Sequence, residues 1–409
     1  MRILKLINQK EFPVILIWSI AILSAIGLII LKSISNHHPN DLIFTPFFKQ
    51  VIFLIPAIIV LFATLIIPRY SIHKYSYLLF IFGIIIVVLP FFGSPHARTY
   101  RWLDLGLPFA IQTSEFAKVF TTLTLARYLS DHTLEMKNFS SIIIPIFIAL
   151  TPTIIVMNQP DLGTAIVMMT PLLPMLYWAG ARPFYLFLIL APIFSMLTAF
   201  HTLSFSFWAL ILGSVIIFAR PTLFLSLFLF FGNIFLGLLS PYAWNTLSLY
   251  QQNRILTFLN PEKDPLGVAY QIIQSKTAIG SGGLLGKGWG QGTQTHLKFL
   301  PVQESDFILS VIGEELGFVM IAILLIFTGF FIMQIIKFSF LSKDRFSSLA
   351  LIGIATIFLA HVFVNTAMTV GLIPVKGLPF PFISAGGSFF ITSFMMTGIV
   401  IKLSVNYTD

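Results

Sequence analysis

The sequence predicts an all-α membrane protein, a bundle of about 10–12 transmembrane helices that fills the whole chain, 1–409, as one domain. Hydrophobic residues make up 57% of the chain and charged residues only 10%, whereas an ordinary soluble domain carries about 25% charged residues. A chain this apolar cannot cover a surface that faces water, so lipid must be its main solvent. Basic loops recur between the apolar runs, as expected of a chain that crosses a membrane repeatedly.

Twelve apolar segments approach the length of about 20 residues that a spanning helix needs. The first follows the basic stretch "MRILKLINQKEF" without a small-residue cleavage site, which indicates an uncleaved helix rather than a signal peptide. Two segments, 162–179 and 204–219, are short and could tilt or pair as re-entrant segments. The twelve lie near 12–33, 48–67, 76–93, 113–130, 140–158, 162–179, 183–200, 204–219, 222–242, 307–335, 347–371 and 385–404.

Loop charges orient this bundle. If the N-terminus is cytoplasmic, every inner loop is basic, as the positive-inside rule requires. Twelve crossings also return the C-terminus to the cytoplasm, so we expect an N-in, C-in protein of the cytoplasmic membrane. The net charge of +9 fits basic inner loops and anionic lipid, and we expect no nucleic-acid partner. The inner basic residues are Arg69, Lys74, Arg127, Lys137, Arg182, Arg220, Lys337, Lys343, Arg345 and Lys402.

Three outer segments, 93–106, 243–306 and 375–388, carry basic residues against that rule. The stretch 243–306 is too long for an idle connection and is predicted to be a functional extracytoplasmic loop. Its part 274–294 holds seven glycines but is not a Walker A loop, because Gly288 stands where that motif has Ser or Thr. A glycine-rich outer loop with a lysine could instead offer backbone N–H groups to a diphosphate.

Charged residues gather at the outer ends of the predicted helices. Arg98, Arg101 and Trp102 suit either an interfacial anchor or an arginine clamp on a phosphate. Glu115 and Lys118 are three residues apart, and therefore on one helix face, where they could form an ion pair partly inside the bilayer.

Asp161 stands at a break between two apolar segments, with Pro160 and Gly163 beside it. A helix cap and a support for an active site are both compatible with this position.

The stretch "LPVQESDFILSVIGEELGF" holds four of the chain's 15 acidic residues. Asp306 begins a helix at the outer surface, as an N-cap or as a general base. Glu314 would lie about 12 Å deeper and about 80° around the helix, so the carboxylates form no pair on one face. Glu314 and Glu315 fall inside the membrane and need partners. No histidine pattern here demands a metal.

Six motifs, taken in order, resemble the SEDS family (shape, elongation, division and sporulation) along nearly the whole chain. "DPLGVAYQIIQSK", "IGSGG" and "GTQ" resemble its cell-elongation and rod-shape branch, whereas "KGLP" leans towards its division branch. The motifs are "RWLDLG", "SEFAKV", "QPDLGTA", "LNPEKDPLGVAYQIIQSKTAIGSGGLLGKGWGQGTQ", "LPVQESDFILSVIGEELGF" and "GLPFPFISAGGS".

This resemblance implies a peptidoglycan glycosyltransferase that polymerises lipid II, a disaccharide-pentapeptide on undecaprenyl diphosphate, at the outer face of the cytoplasmic membrane. It implies a class B penicillin-binding protein and other rod-complex membrane proteins as partners. It places the catalytic aspartate on Asp306. The candidate diphosphate ligands are Arg98, Arg101, Trp102, Lys276 and Lys287, and the expected supporting residues are Glu115, Lys118, Asp161, Glu304, Glu315 and Ser384.

The sequence departs from the family pattern at several positions. Glu304-Ser305 replaces the usual His-Thr before the catalytic aspartate, Ala385 a tyrosine and Thr113 a proline. Most members have ten spanning helices, so we expect an extra helix pair within 183–242.

Two other function classes stay open at this point, a lipid II flippase and a non-catalytic scaffold. A flippase should show inverted repeats and charges along a transbilayer path, whereas here the charges gather at the outer face. No certain cofactor follows from the sequence, although a divalent cation, Mg²⁺ or Mn²⁺, could bridge Asp306 to the diphosphate.

Overall fold

The computed structural model describes residues 13–36, 45–93, 99–104, 106, 110–131, 140–247, 249–260, 267, 269–297 and 299–405. Apart from one short 3₁₀ turn and a two-stranded antiparallel ribbon, β1 (Trp102–Leu103) with β2 (Ile111–Gln112), the regular structure of these residues is α-helical. The helices are α1 (Val14–Ser35), α2 (Pro46–Ile66), α3 (Arg69–Val88), α4 (Thr113–Asp131), α5 (Ser140–Asn158), α6 (Leu162–Met169), α7 (Leu172–Trp178), α8 (Pro183–Thr198), α9 (Thr202–Ala219), α10 (Leu223–Thr246), α11 (Leu249–Leu259), α12 (Tyr270–Gly282), α13 (Thr293–His296), α14 (Ile308–Leu341), α15 (Arg345–Thr369) and α16 (Gly387–Ser404).

Each of the twelve predicted segments contains a helix, and the predicted fold class is confirmed. Among the described residues, nine helices are long and apolar enough to cross a membrane. The pair α6–α7 and helix α8 are apolar but shorter. Helix α4 is the most polar of the twelve, because it carries Glu115, Lys118 and several threonines. Nearly all its side chains are buried, so its neighbours rather than lipid surround it.

The bundle is built around α15 and α16. Helix α16 packs against α2, α14 against α15, and α4 against both α3 and α15. Helices α15 and α16 are the most buried of the spanning helices, whereas α3, α9 and α10 expose most of their apolar side chains, as lipid-facing helices do.

Helices α8, α9 and α10, in the region of the predicted insertion, pack mainly on one another and reach the rest of the bundle chiefly through α7. Trp208 of α9 donates its indole N–H to Ser195 of α8 (2.8 Å), and that hydroxyl contacts Asn233 of α10 (3.3 Å). All three side chains are buried. A polar contact therefore joins these three helices inside an apolar environment.

The predicted helix 307–335 differs from the observed one. Helix α14 runs on to Leu341 and is broken at Gly317, whose backbone is non-helical with a positive φ (φ 79°, ψ 178°), a conformation that favours glycine. The glycine-rich segment packs into this break. The amides of Lys287 and Gly288 donate to the carbonyls of Glu314 and Glu315 (both 2.9 Å). In return, the amides of the two residues after Gly317 donate to carbonyls of the glycine-rich segment.

The glycine-rich segment therefore re-enters the bundle instead of staying at its outer face. Gly317 lies nine residues into α14, about 13 Å along the helix. Irregular backbone at such depth needs partners for its polar groups, and α14 supplies them, although the side chains of Leu284 and Leu285 are exposed. The expectation of an outward-facing cradle for a diphosphate is wrong for the amides of Lys287 and Gly288, because both are bonded to α14.

Candidate functional site at the outer ends of the helices

Asp306 lies in the turn that leads into α14. The N-cap position of the helix is occupied by Phe307, and no side chain caps it. The interpretation of Asp306 as a helix cap is therefore wrong. Its carboxylate instead accepts a hydrogen bond from the Ser305 hydroxyl (3.0 Å) and faces Gly377 in the outer loop between α15 and α16.

The environment of Asp306 favours its protonated form more than water does. The pKa of this carboxyl is raised to about 6; burial is the largest cause, and the negative charge of Glu304 acts in the same direction. The Ser305 hydroxyl and the Arg101 guanidinium oppose this effect. A carboxyl with a pKa near 6 is ionised at neutral pH and remains basic enough to take a proton from a hydroxyl.

Three hydrogen bonds hold the backbone of the Asp306 turn. The Ser384 hydroxyl donates to the Ser305 carbonyl (2.5 Å), the Ala385 amide to the Glu304 carbonyl (2.8 Å), and the Asn365 amide group to the Asp306 carbonyl (2.9 Å). Ser384, predicted as a supporting residue, therefore contacts the turn directly. The motif "PFISAGGS" and the motif "ESD" meet although about 80 residues separate them.

Asp161 is the N-cap of α6 and accepts hydrogen bonds from the Thr164 amide (3.2 Å) and the Thr164 hydroxyl (2.9 Å). Its role as a cap is confirmed. The same carboxylate also accepts from Gln112 (3.0 Å) and lies 4.0 Å from the Arg101 guanidinium. A cap does not need those two contacts, so Asp161 also links the outer ribbon to α6.

Arg101 donates to the carbonyls of Gln159 and Pro160 as well as facing Asp161. Its side chain is about one-third exposed (32%), so part of the guanidinium remains open towards the outer surface. Trp102, its neighbour on β1, is exposed. Arg98 lies outside the described residues, and its role as a diphosphate ligand stays a prediction.

Glu115 and Lys118 form the predicted ion pair, at 2.7 Å, and both are fully buried. Sequence reasoning missed the other partners of Lys118. Its ammonium lies 2.8 Å from Nε2 of His361 and 4.9 Å from the ring centre of Phe389. The available signal was a histidine within the apolar α15 segment, because polar groups inside a membrane usually have a purpose.

Glu314 and Glu315 have the partners that their burial demands, and those partners come from outside α14. Glu314 accepts from Lys287 (2.8 Å), from Thr293 (3.1 Å) and from the amide and hydroxyl of Thr295. Glu315 accepts from Ser33 of α1 (2.7 and 2.8 Å) and faces His296 (3.2 Å).

The two predicted lysine ligands lie in different surroundings. The ammonium of Lys287 is bonded to Glu314, so the structure gives this proposed diphosphate ligand a different partner. Lys276 is exposed on α12, and its ammonium end lies against Gly371, just after α15. Neither lysine contacts Asp306 through any hydrogen bond seen in the described residues, and their diphosphate roles stay predictions.

A cavity of about 690 Å³ opens beside the Asp306 turn, between the first turns of α2 and α16. Its walls include Lys49 and Gln50 of α2, Trp102 of β1, and Glu304 and Ser305 of the turn. The volume lies within the range of about 300–1,000 Å³ that is typical of ligand sites. Glu304 thus borders a cavity of a size typical of ligand sites.

Comparison with known proteins places this geometry in a family. A model of the cell cycle protein family that comprises FtsW, RodA and SpoVE matches residues 14–208 and 193–409. The chain belongs to this family.

Members of the FtsW/RodA/SpoVE family with curated names resemble the chain over most of its length. Peptidoglycan glycosyltransferase MrdB of Escherichia coli K12 is 36% identical over 81% of this chain and 77% of its own. Peptidoglycan glycosyltransferase RodA of Treponema pallidum is 30% identical over 97% and 98%. Stage V sporulation protein E of Bacillus subtilis is also 30% identical over 97% and 98%.

Solved structures share the fold. A chain from a structure titled for the coordination of polymerization and crosslinking by a peptidoglycan synthase complex has a TM-score of 0.71, with 22% identity over 97% of this chain and 98% of its own. The crystal structure of Thermus thermophilus RodA has a TM-score of 0.63, with 21% identity over the same shares. The family member described here is accordingly a multi-pass membrane protein.

Proposed function

We propose that this chain is a peptidoglycan glycosyltransferase that polymerises lipid II into glycan strands at the outer face of the cytoplasmic membrane, for cell-wall elongation and rod shape. The observation that carries the proposal is the half-buried Asp306 carboxylate, with its raised pKa, beside a cavity at the outer end of the bundle. Membership of a family whose curated relatives are named as such transferases supports it.

In the proposed reaction, Asp306 takes the proton from the acceptor sugar 4-hydroxyl as that oxygen attacks the anomeric carbon of the donor. The bond from that carbon to the undecaprenyl diphosphate breaks, and the diphosphate leaves with its electron pair. A single displacement of this kind inverts the anomeric configuration. Positive charge must stabilise the leaving diphosphate, and the described candidates are Arg101, whose side chain is partly exposed, and Lys49 in the wall of the cavity.

The question of a metal depends on the substrate. Within the described residues, no three His, Asp or Glu side chains gather closely enough to hold a metal ion. The described part of the chain therefore offers no ready-made set of metal ligands. A requirement for Mg²⁺ or Mn²⁺ would have to rest on oxygens that the diphosphate supplies, and no step above depends on it.

The proposed partner is a class B penicillin-binding protein, a transpeptidase that would crosslink the new strand, together with other membrane proteins of the rod complex. The fold shared with a chain from a peptidoglycan synthase complex supports a partner of this kind. Exposed apolar faces on α3, α9 and α10 offer room for a partner helix, although lipid would cover the same faces.

One assay separates this function from its two rivals. Purified protein, with and without the candidate transpeptidase, is incubated with lipid II in detergent and in liposomes. Glycan polymer identifies a transferase, and transfer of lipid II across liposomes without polymer identifies a flippase. The absence of both polymer and transfer would identify a scaffold. We expect polymer, which Asp306→Asn abolishes.

A further inference from the structure

Two buried side chains of α15, His361 and Asn365, bond the outer loop that lies against Asp306. The Nδ1–H of His361 donates to the Pro379 carbonyl (3.1 Å). The side-chain amide of Asn365 donates to the carbonyls of Leu378 (2.7 Å) and Asp306 (2.9 Å). Because they are four residues apart, they share one face of the helix.

The loop that these residues hold lies against the Asp306 carboxylate and against the helix that Asp161 caps. Gly377 adopts a left-handed backbone (φ 63°), and even a Cβ at this position would come within 3.2 Å of the Asp306 carboxylate. The neighbouring Lys376 carbonyl lies against Gly163, two residues after Asp161. A shift of residues 376–379 would therefore change the surroundings of Asp306 and of the Asp161 cap together.

The ring of His361 is itself fixed from its other side. Since Nδ1 donates to a carbonyl, Nε2 carries no proton and accepts from the Lys118 ammonium at 2.8 Å. The ring also stacks on Phe389, with centroids 4.0 Å apart and an interplanar angle of 21°. A continuous chain of contacts thus runs from Glu115 through Lys118 and His361 to the Pro379 carbonyl.

We propose that His361 and Asn365 are positioning residues for Asp306, and that the buried Glu115–Lys118 pair acts on the reaction through His361. Neither α15 residue needs to touch the substrate, because each acts on the 376–379 loop. This inference rests on the proposed function. It explains why a charged pair is kept deep in the bundle, where its burial is expensive.

The test compares His361→Phe and His361→Gln with the wild type. Phenylalanine keeps the ring that stacks on Phe389 but removes both nitrogen contacts, whereas glutamine offers one donor and one acceptor. Thr356→Val is the matched control, because it removes a polar group of α15 that, in the described part of the chain, hydrogen-bonds to the Ile352 carbonyl within the same helix.

Four quantities are measured on detergent-solubilised protein: kcat for lipid II, KM for lipid II, hydrogen exchange of the amides at 372–386, and the melting temperature. For His361→Phe we expect kcat to fall roughly ten- to a hundredfold, because small misplacements of reacting groups have effects of this size. KM and the melting temperature should stay close to those of Thr356→Val, and exchange should accelerate in 372–386 alone. His361→Gln should recover part of kcat.

Unchanged kcat and unchanged loop exchange in His361→Phe would overturn the proposal. So would a loss of kcat that accompanies faster exchange throughout the bundle, because that is the mark of a purely structural residue. If His361→Phe does not fold, Asn365→Ala carries the same test on the same loop. An inactive wild type would count against the proposed function, whereas loop exchange would still test the role of His361.

A double-mutant cycle tests the connection to the buried pair. Lys118→Met and His361→Phe should together reduce kcat by clearly less than the product of their separate effects, because both interrupt one chain of contacts. Independent, multiplicative effects would overturn the link between Lys118 and the loop.

Discussion

Asp306 combines three properties that a general base needs. Its backbone is held by Asn365 and by the bonds that fix the two residues before it, so the carboxylate has a defined position. It is partly shielded from water, and burial raises its pKa. Its third feature concerns stability: Asp306 does not cap the helix, because Phe307 takes that position. Activity and stability should therefore separate cleanly at this residue.

The first prediction concerns Asp306→Asn. The substitution keeps the size of the side chain and removes a charge whose burial is unfavourable at neutral pH, so the melting temperature should stay the same or rise slightly. Polymerisation of lipid II should fall about 10²–10⁴-fold, the usual contribution of a positioned base. Glu304→Gln, which changes the neighbouring carboxylate at the edge of the cavity, should reduce the rate less. Wild-type polymerisation by purified Asp306→Asn would exclude Asp306 as the base.

The second prediction follows from the pKa of about 6. Since the base acts in its ionised form, kcat/KM should rise about tenfold per pH unit below pH 6 and level off above it. Removing the charge of Glu304 removes one cause of the raised pKa, so the midpoint should move to lower pH in Glu304→Gln. A pH profile that is flat between pH 5 and 7 would contradict this assignment.

The same shift has a consequence for stability, with the opposite dependence on pH. The folded carboxyl, with a pKa near 6, binds a proton more readily than the ordinary carboxyl of an unfolded chain, with a pKa of 3.8. This group therefore favours folding most below about pH 4, and the contribution is lost as the pH rises through about 6. At the pH at which Asp306 acts as a base, its ionised carboxylate lowers the free energy of unfolding of the protein.

Contacts between residues that are close in the chain could be predicted from the sequence, whereas contacts between distant residues could not. The Glu115–Lys118 pair and the Asp161 cap depend on neighbours three residues away, so spacing was enough to predict them. The contact of His361 with Lys118 joins residues 243 positions apart, and no local pattern encodes it. The catalytic assignment of Asp306 came from the family resemblance and from its place at the mouth of a helix.

At the scale of elements, the break in α14 and the re-entrant glycine-rich segment form one unit. Each supplies backbone hydrogen-bond partners that the other lacks. Continuous hydrophobicity through 307–335 predicted a regular helix, because a hydrophobic pattern does not show that Gly317 adopts a positive φ. The break exists only because residues 283–288 occupy it, which is a tertiary effect.

The third prediction tests this unit through Gly286. Its backbone is left-handed (φ 79°), and a Cβ there would collide with the Glu315 carbonyl. Gly286→Ala should therefore lower the melting temperature strongly and reduce folded yield. Gly280→Ala is the matched control, because Gly280 is helical with open space around its Cβ position. Alanine is favoured over glycine by about 1 kcal/mol within a helix, so the control should be neutral or slightly stabilising.

Equal effects of the two alanine substitutions would contradict the close approach of the segment to α14. Hydrogen exchange at 314–319 provides a second measurement. It should accelerate in Gly286→Ala, since the amides after Gly317 lose their acceptors, and remain unchanged in Gly280→Ala.

At the scale of the whole molecule, composition was enough to predict a helical membrane bundle, and the orientation inferred from loop charge stays a prediction. Lipid solvent leaves few alternatives to spanning helices, and this constraint determines fold class from composition alone. The sequence did not indicate which helices would be central. That depends on side-chain packing, and α4, among the most polar of the twelve, is one of the most deeply enclosed.

The fourth prediction tests orientation, using the absence of cysteine from the chain. His201→Cys, in the exposed turn between α8 and α9, should react with an impermeant thiol reagent in intact spheroplasts. Lys343→Cys, exposed between α14 and α15, should react only after the membrane is ruptured. The reverse pattern would mean that the bundle has the opposite orientation. Labelling of both residues in intact spheroplasts would mean that one crossing fewer separates them.

The self-contained packing of α8, α9 and α10 has an evolutionary consequence. Segments whose buried contacts are largely internal can be gained or lost without redesign of distant parts of a protein. Membrane topology adds a rule of parity, because helices acquired two at a time leave every later loop on its original side. A single helix added before Asp306 in the chain would place this residue on the cytoplasmic side of the membrane, away from the growing wall. Length variation among relatives should therefore concentrate in this region, in steps of two helices.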